Sequence, residues 1–232
     1  KLPMFPLHGW LPDAHTDAPT AASVLLAGLL LKMGGYGILR ICYFIMPNEA
    51  VELSGIISVF GAVSVIYGAL LTLKQTDLKR IVAFSSVSHM GYILIGISAF
   101  ASNDMTFKTL GLSGASFQMV SHGLITGLLF YLVGIIYEKC KTREVSSLGG
   151  LATQFKFTSI ALAISGMASL GLPGTSGFVS ELMIFMGGFQ NFSITTSVSV
   201  FGVVLAAGYI LWMLQRVIYG ELNPKYSKLN DM

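Results

Sequence analysis

Four apolar stretches each carry one titratable side chain, and a fifth stands at the head of a proline-rich opening. Lys32 interrupts Leu29-Leu30-Leu31-Lys32-Met33-Gly34-Gly35, and His89 sits in Ser85-Ser86-Val87-Ser88-His89-Met90-Gly91. His122 lies in Gln118-Met119-Val120-Ser121-His122-Gly123, Glu181 in Phe178-Val179-Ser180-Glu181-Leu182-Met183, and Lys1 precedes Pro3 and Pro6. Ionisable groups in a lipid span are costly and normally face a protein interior or a water-filled path. Burial brings lysines and carboxylates toward neutral titration, where imidazole already titrates. One such group per segment, bridged by Ser85, Ser86, Ser88, Ser121 and water, has the chemistry of a proton relay. Each residue also has a quieter reading. A histidine can be an interhelical hydrogen bonder, Lys32 and Glu181 can serve a structural ion pair, and Lys1 can snorkel to an interface.

The elements that must position these groups follow from composition. The chain has 232 residues, 53% of them hydrophobic and 11% charged, with a mean hydropathy of +0.73. Soluble domains carry about 25% charged residues, so an aqueous enzyme, a disordered region and a nucleic-acid binder are excluded. The class is an integral membrane protein, and the lipid bilayer is its first partner. The sequence begins at Lys1 with no initiator methionine, and we expect it to be a piece of a longer subunit.

A helix needs about 20 apolar residues to cross the hydrocarbon layer. That ruler gives spans at 20–46, 53–74, 79–100, 107–138, 156–191 and 195–219. They are punctuated at Pro47-Asn48, Gln75-Thr76-Asp77, Ser102-Asn103-Asp104 and Gly149-Gly150. Residues 1–12, with Pro3, Pro6 and Pro12, can make only a broken or half helix. The stretch 156–191 is too long for one span, and its middle reads Gly171-Leu172-Pro173-Gly174-Thr175-Ser176-Gly177. That cluster predicts a discontinuous helix, with a simple proline kink as the alternative. No strand alternation is visible, so the expected fold is an all-α polytopic bundle forming one transmembrane domain over residues 1–232.

Basic residues orient the bundle. Ten of the 14 fall on alternate connections: Lys74, Lys79 and Arg80; Lys139, Lys141, Arg143 and Lys156; Arg216, Lys225 and Lys228. By the positive-inside rule these face the cytoplasm or matrix.

Other features read as structure. Gly34-Gly35, Gly61, Gly68 and Gly187-Gly188 suit close helix packing, and Trp10 and Tyr219 suit interfacial anchoring. Cys42, in an apolar run, and Cys140, in a basic loop, suggest neither a disulfide framework nor a metal site. His8 and His15 make a poor metal pair. No phosphate loop and no haem, iron–sulfur or zinc spacing is present, so no cofactor is expected on this chain.

The opening Lys1-Leu2-Pro3-Met4-Phe5-Pro6-Leu7-His8-Gly9-Trp10-Leu11-Pro12-Asp13-Ala14-His15 and Ala18-Pro19-Thr20 resemble the antiporter-like, proton-conducting membrane subunits of respiratory complex I. So do Leu31–Gly37, Ser86–Gly91 and Leu172-Pro173-Gly174 with Gly177–Glu181, in the family's order. The resemblance implies inverted five-helix repeats with broken helices. Residues 1–46 would close the first repeat and 53–219 would form the second. It implies that Lys1 and Lys32 are the lysines of the first broken helix and the central axis. His89 and His122 would be axis histidines, and Glu181 the exit-side carboxylate of the second broken helix. The family pattern has helices before Lys1, one bearing a glutamate that pairs with that lysine, and a final helix after residue 232. The resemblance therefore implies a chain or segment supplying them. The other partners it implies are further complex I membrane subunits, with NADH and quinone used elsewhere in the complex. The setting it implies is a mitochondrial inner or bacterial plasma membrane. Sodium-type multi-subunit antiporters, membrane hydrogenases and photosynthetic complexes use similar subunits. A structural spacer that moves no ions is the reading from a different class.

Overall fold

The computed structural model describes residues 1–227 with Leu229 and Asp231. Lys228, counted above among the basic residues of one face, lies outside the described residues. After a non-helical start come α1 (Trp10–Asp17) and α2 (Thr20–Ile45), then α3 (Pro47–Leu73) and α4 (Leu78–Ser98). These are followed by α5 (Met105–Cys140), α6 (Lys156–Ser169), α7 (Ser176–Phe189) and α8 (Ser193–Val217). Among the described residues, five helices are long and apolar enough to cross a membrane: α2, α3, α4 (continued by a tight turn to Ala101), α5 and α8.

Helix starts follow local chemistry. Asp77 caps α4, its carboxylate accepting from the backbone N–H of Lys79 at 2.7 Å and of Arg80 at 3.1 Å. Asp104 caps α5 through the N–H of Thr106 at 2.8 Å. Pro47 does not interrupt the chain's helices but begins one. At the first helical position its missing N–H has no partner to lose, so α3 starts six residues before the expected 53 and takes in Glu49 and Glu52. Cys140 is likewise not in a loop. It is the buried last residue of α5, and Lys141 follows in a left-handed conformation at φ 57°.

The three basic connections meet at one end of the bundle. Leu78 donates to Arg143 O at 3.0 Å and Val145 to Thr76 O at 2.9 Å, while Arg143 Nε lies 3.2 Å from Asp77 Oδ2. Gly150 donates to Tyr219 O and Ala152 to Ile218 O, each at 3.1 Å. The charge alternation read from the sequence therefore corresponds to a single tied surface. Lys79 departs from that reading: it is buried, and its ammonium donates to Ala18 O at 2.6 Å.

The centre of the bundle is α4, enclosed along its whole apolar length. Glycines let its neighbours approach: a methyl at Gly61 would lie 2.9 Å from Gly91 O, and one at Gly68 2.7 Å from Ser88 N. At Gly187 it would lie 2.8 Å from Phe107 O on α5. These are the close-packing roles expected of small residues between membrane helices.

Candidate functional site

The long apolar stretch 156–191 is two helices. α6 stops at Ser169, and the chain turns through Gly171 at φ +79° and Gly174 at φ +98° before α7 begins at Ser176. Both angles are ones that L side chains rarely adopt, and Pro173 offers no N–H to continue a helix. The stretch is broken rather than kinked. Glu181 stands five residues into α7, buried, and folds back on the break: a methyl at residue 171 would lie 2.7 Å from its Oε2. Glycine at that position thus serves both the turn and the seat of the carboxylate.

The other carboxylate oxygen meets α4. Glu181 Oε1 lies 3.4 Å from His89 Nδ1, and the same nitrogen lies 3.4 Å from Gln118 Nε2 on α5. The two contacts ask opposite things of it. With a proton on Nδ1 the imidazole donates to Glu181, and without one it accepts from Gln118. Gln118 is held in the orientation that offers its amide NH2, because its Oε1 accepts from the Ser180 hydroxyl. Ser180 has one proton and two further acceptors, Ser176 O at 3.0 Å and Gly177 O at 2.8 Å. Ser121 and Ser176 hydroxyls pair at 2.7 Å. The His122 ring lies 4.9 Å from that of His89 between centroids, fully inside, with neither nitrogen hydrogen-bonded among the described residues.

Lys32 approaches from α2. Its helix contains a widened turn at Leu26–Leu30, where the N–H of Leu31 bonds to Leu26 O and Leu29 O. Ala27 O thereby loses its ordinary α-helical donor, and the Lys32 ammonium donates to it. Lys32 Cε lies 3.6 Å from where a methyl at Gly123 would be, beside His122, and the side chain borders a groove of about 1190 Å³ between α2 and α5.

Four of the five residues singled out from the sequence thus lie along one interior line, Lys32–His122–His89–Glu181. Lys1 is not gathered into it. It is exposed, and the nearest link is indirect, through Leu2, whose backbone packs on Gly34 two residues from Lys32. The serines also sort differently from expectation. Ser85 and Ser86 donate to Val82 O, and Ser88 to Val65 O at 2.9 Å, so those hydroxyls brace backbone. The side chains that meet the line are Gln118, against His89, and Ser180, on Gln118, while Ser121 and Ser176 tie α5 to α7. Gln118 was legible as a buried amide one turn before His122, and the serines of α7 only once the break was placed.

Comparison with known proteins gives the family. Residues 1–206 match the family model described as NADH:quinone oxidoreductase/Mrp antiporter, TM. The chain belongs to this family. It is 47% identical to NADH-quinone oxidoreductase subunit M of Rhodobacter capsulatus, over 100% of this chain and 44% of the relative. It is 43% identical to F(420)H(2) dehydrogenase subunit M of Methanosarcina mazei, over 100% of this chain and 46% of the relative. The fold superposes on a chain of respiratory complex I from Thermus thermophilus with a TM-score of 0.90 at 28% identity, covering 100% of this chain and 47% of the other. The chain spans under half the length of these relatives. It is a multi-pass protein of an energy-transducing membrane, all-helical as the sequence implied.

Proposed function

We propose that the chain is the proton-translocating portion of an NADH:quinone oxidoreductase membrane subunit. Residues 53–219 would form a second repeat and 1–46 the end of a first. NADH and quinone would react on other subunits, and this chain would bind no cofactor of its own. Its work is proton movement: from Lys32 through His122 to His89, then to Glu181. The observation that carries the reading is the double contact at His89 Nδ1, where a carboxylate and an amide NH2 compete for one nitrogen at 3.4 Å each. Protonated, the imidazole is drawn to Glu181. Once it has given the proton up, Gln118 satisfies it and holds the empty state. A group with a defined partner in both protonation states can pass protons in one direction when its neighbours change charge. Lys1 stays with the relay through the family resemblance alone.

A second reading, a cation/proton antiporter subunit without redox partners, is favoured by the family's own span, which includes Mrp antiporters. Mild-detergent purification from the native membrane, with mass spectrometry of the co-purifying chains, separates the two. Flavin- and iron–sulfur-bearing subunits are expected. An assembly of membrane chains with no redox subunit would overturn the first reading in favour of the antiporter.

A further inference from the structure

We infer that a cavity at the basic end of the bundle, where α2 meets α4 and α5, takes the headgroup of an aminophospholipid, phosphate inward and ammonium at the rim. The cavity holds about 330 Å³, room for about ten waters at ~30 Å³ apiece. Lys79 stands in its wall with 4% of its surface exposed. The ammonium spends one proton on Ala18 O, and no carboxylate lies within ion-pair distance of it among the described residues. The nearby Asp77 is committed to the α4 cap and to Arg143. A buried charge without a counter-ion is costly, and two ammonium protons remain unspent at the cavity wall.

Other donors share that wall. Arg143 is fixed by Asp77 at Nε, by Thr16 O at 3.1 Å from Nη1, and by the Tyr137 ring 5.1 Å away, which leaves its second terminal nitrogen without a protein acceptor. Thr20 opens the 26-residue α2, and its hydroxyl has no partner among the described residues. Pro19 before it gives the first N–H groups of that helix no side-chain acceptor. Lys79 and Arg143 also answer carbonyls at the end of α1, a role that uses one donor of each and leaves the rest and Thr20 unexplained. Phosphate oxygens take several such donors at once.

Asp17 sets the remainder of the ligand. It lines the same cavity, is exposed, and makes no hydrogen bond or ion pair among the described residues. A carboxylate at the rim opposes a free phosphate dianion and suits a phosphate ester that carries its own cation. The primary ammonium of an ethanolamine headgroup can donate to Asp17, whereas a choline has no N–H to give. The bilayer is the adjacent source. Leu25 and Leu29 continue from the cavity along α2 at 58% and 64% exposure, and the apolar α2–α5 groove begins at Val24 and Leu25. Acyl chains would run on from the headgroup over that surface.

The site is tested in the intact complex, washed in detergent and reloaded with phosphatidylethanolamine that carries a diazirine near the ester end of one acyl chain. After irradiation, adducts are mapped by mass spectrometry. Labelling within residues 16–25 or 131–143 is expected, displaced by unlabelled phosphatidylethanolamine and far less by phosphatidylglycerol, phosphatidylcholine or inorganic phosphate. Lys79→Met should cut this labelling by about tenfold or more, the scale of one charge-assisted hydrogen bond. The exposed Asp17→Asn leaves the helix contacts in place and should abolish the preference for phosphatidylethanolamine over phosphatidylglycerol, which a merely structural role would not do. Displacement by inorganic phosphate as readily as by lipid would make the source a soluble phosphate and overturn the lipid. Equal displacement by phosphatidylglycerol in the unaltered chain would overturn the amine. Labelling that no competitor displaces, or that both variants leave unchanged, would mark ordinary bilayer contact and overturn the site.

Discussion

Lys32 and Glu181 are held in the bundle by opposite means. Lys32 sits on α2, whose apolar window is only 28% buried, and its partner is a carbonyl of its own helix released by a widened turn. Glu181 sits where two half-helices meet and takes its partners from elsewhere: His89 on α4, with Gln118 of α5 beside it, and the glycine of the break. A lysine answered by one backbone oxygen can lose its proton with little rearrangement around it. A carboxylate answered by an imidazole changes its neighbour's charge with its own whenever the proton passes between the two. On the proposed relay the lysine end would load and release protons, and the carboxylate end would couple them to its neighbour.

The largest effect should come from breaking the coupled end. Glu181→Gln removes the acceptor of the His89 proton while keeping the shape, and the rate of proton transfer through this chain in reconstituted complex should fall by about 10²-fold or more, the scale of losing a positioned proton-transfer group. Replacement with retained pumping would show that His89 passes its proton elsewhere. Stability sharpens the contrast. Lys32→Met removes a buried charge with one backbone partner and should leave the thermal midpoint of the assembly unchanged or raised. Glu181→Leu takes the carboxylate from His89 Nδ1 and sets a branched apolar side chain against Gly171 at the break, and should lower it, by about 1–3 kcal/mol of destabilisation. If the two variants shift the midpoint alike, the distinction between the ends fails.

Gly171→Ala tests the seat of the carboxylate. The left-handed backbone at φ +79° costs a residue with a side chain about 1–3 kcal/mol, and the methyl would press on Oε2. Pumping should fall more than assembly does, as measured by proton uptake against the yield of intact complex. The smallest effect belongs to Asp77→Ala, far from the line. Losing the cap of α4 together with the Arg143 contact should cost about 1–2 kcal/mol, read by thermal unfolding, with pumping unchanged.

The two ends also differ in how legible they were. The break before Glu181 is signalled by Gly171, Pro173 and Gly174, which favour a turn there and left only a proline kink as the alternative. The widened turns of α2 at Leu26–Leu30 and Ile38–Cys42 have no such signature: they fall in Leu, Ile, Ala and Gly with Arg40 and Cys42, all found in ordinary helices. The partner of Lys32 could not be read in advance for that reason. Span positions and the shared basic end followed from hydropathy and charge, apart from α3, where Pro47 starts the helix it was expected to separate. Ser85, Ser86 and Ser88 were misassigned because a hydroxyl in a helix can turn to a backbone carbonyl as readily as to a relay. That choice is made by tertiary packing, not by spacing.

The central claim is that Lys32 and Glu181 belong to one proton line. The most direct measurement is pumping in reconstituted complex carrying Lys32→Ala, with reduction of an artificial acceptor at the flavin as the internal control. Proton uptake and coupled turnover should both fall while the control reaction stays at the wild-type rate. Normal pumping by assembled Lys32→Ala complex would contradict the account.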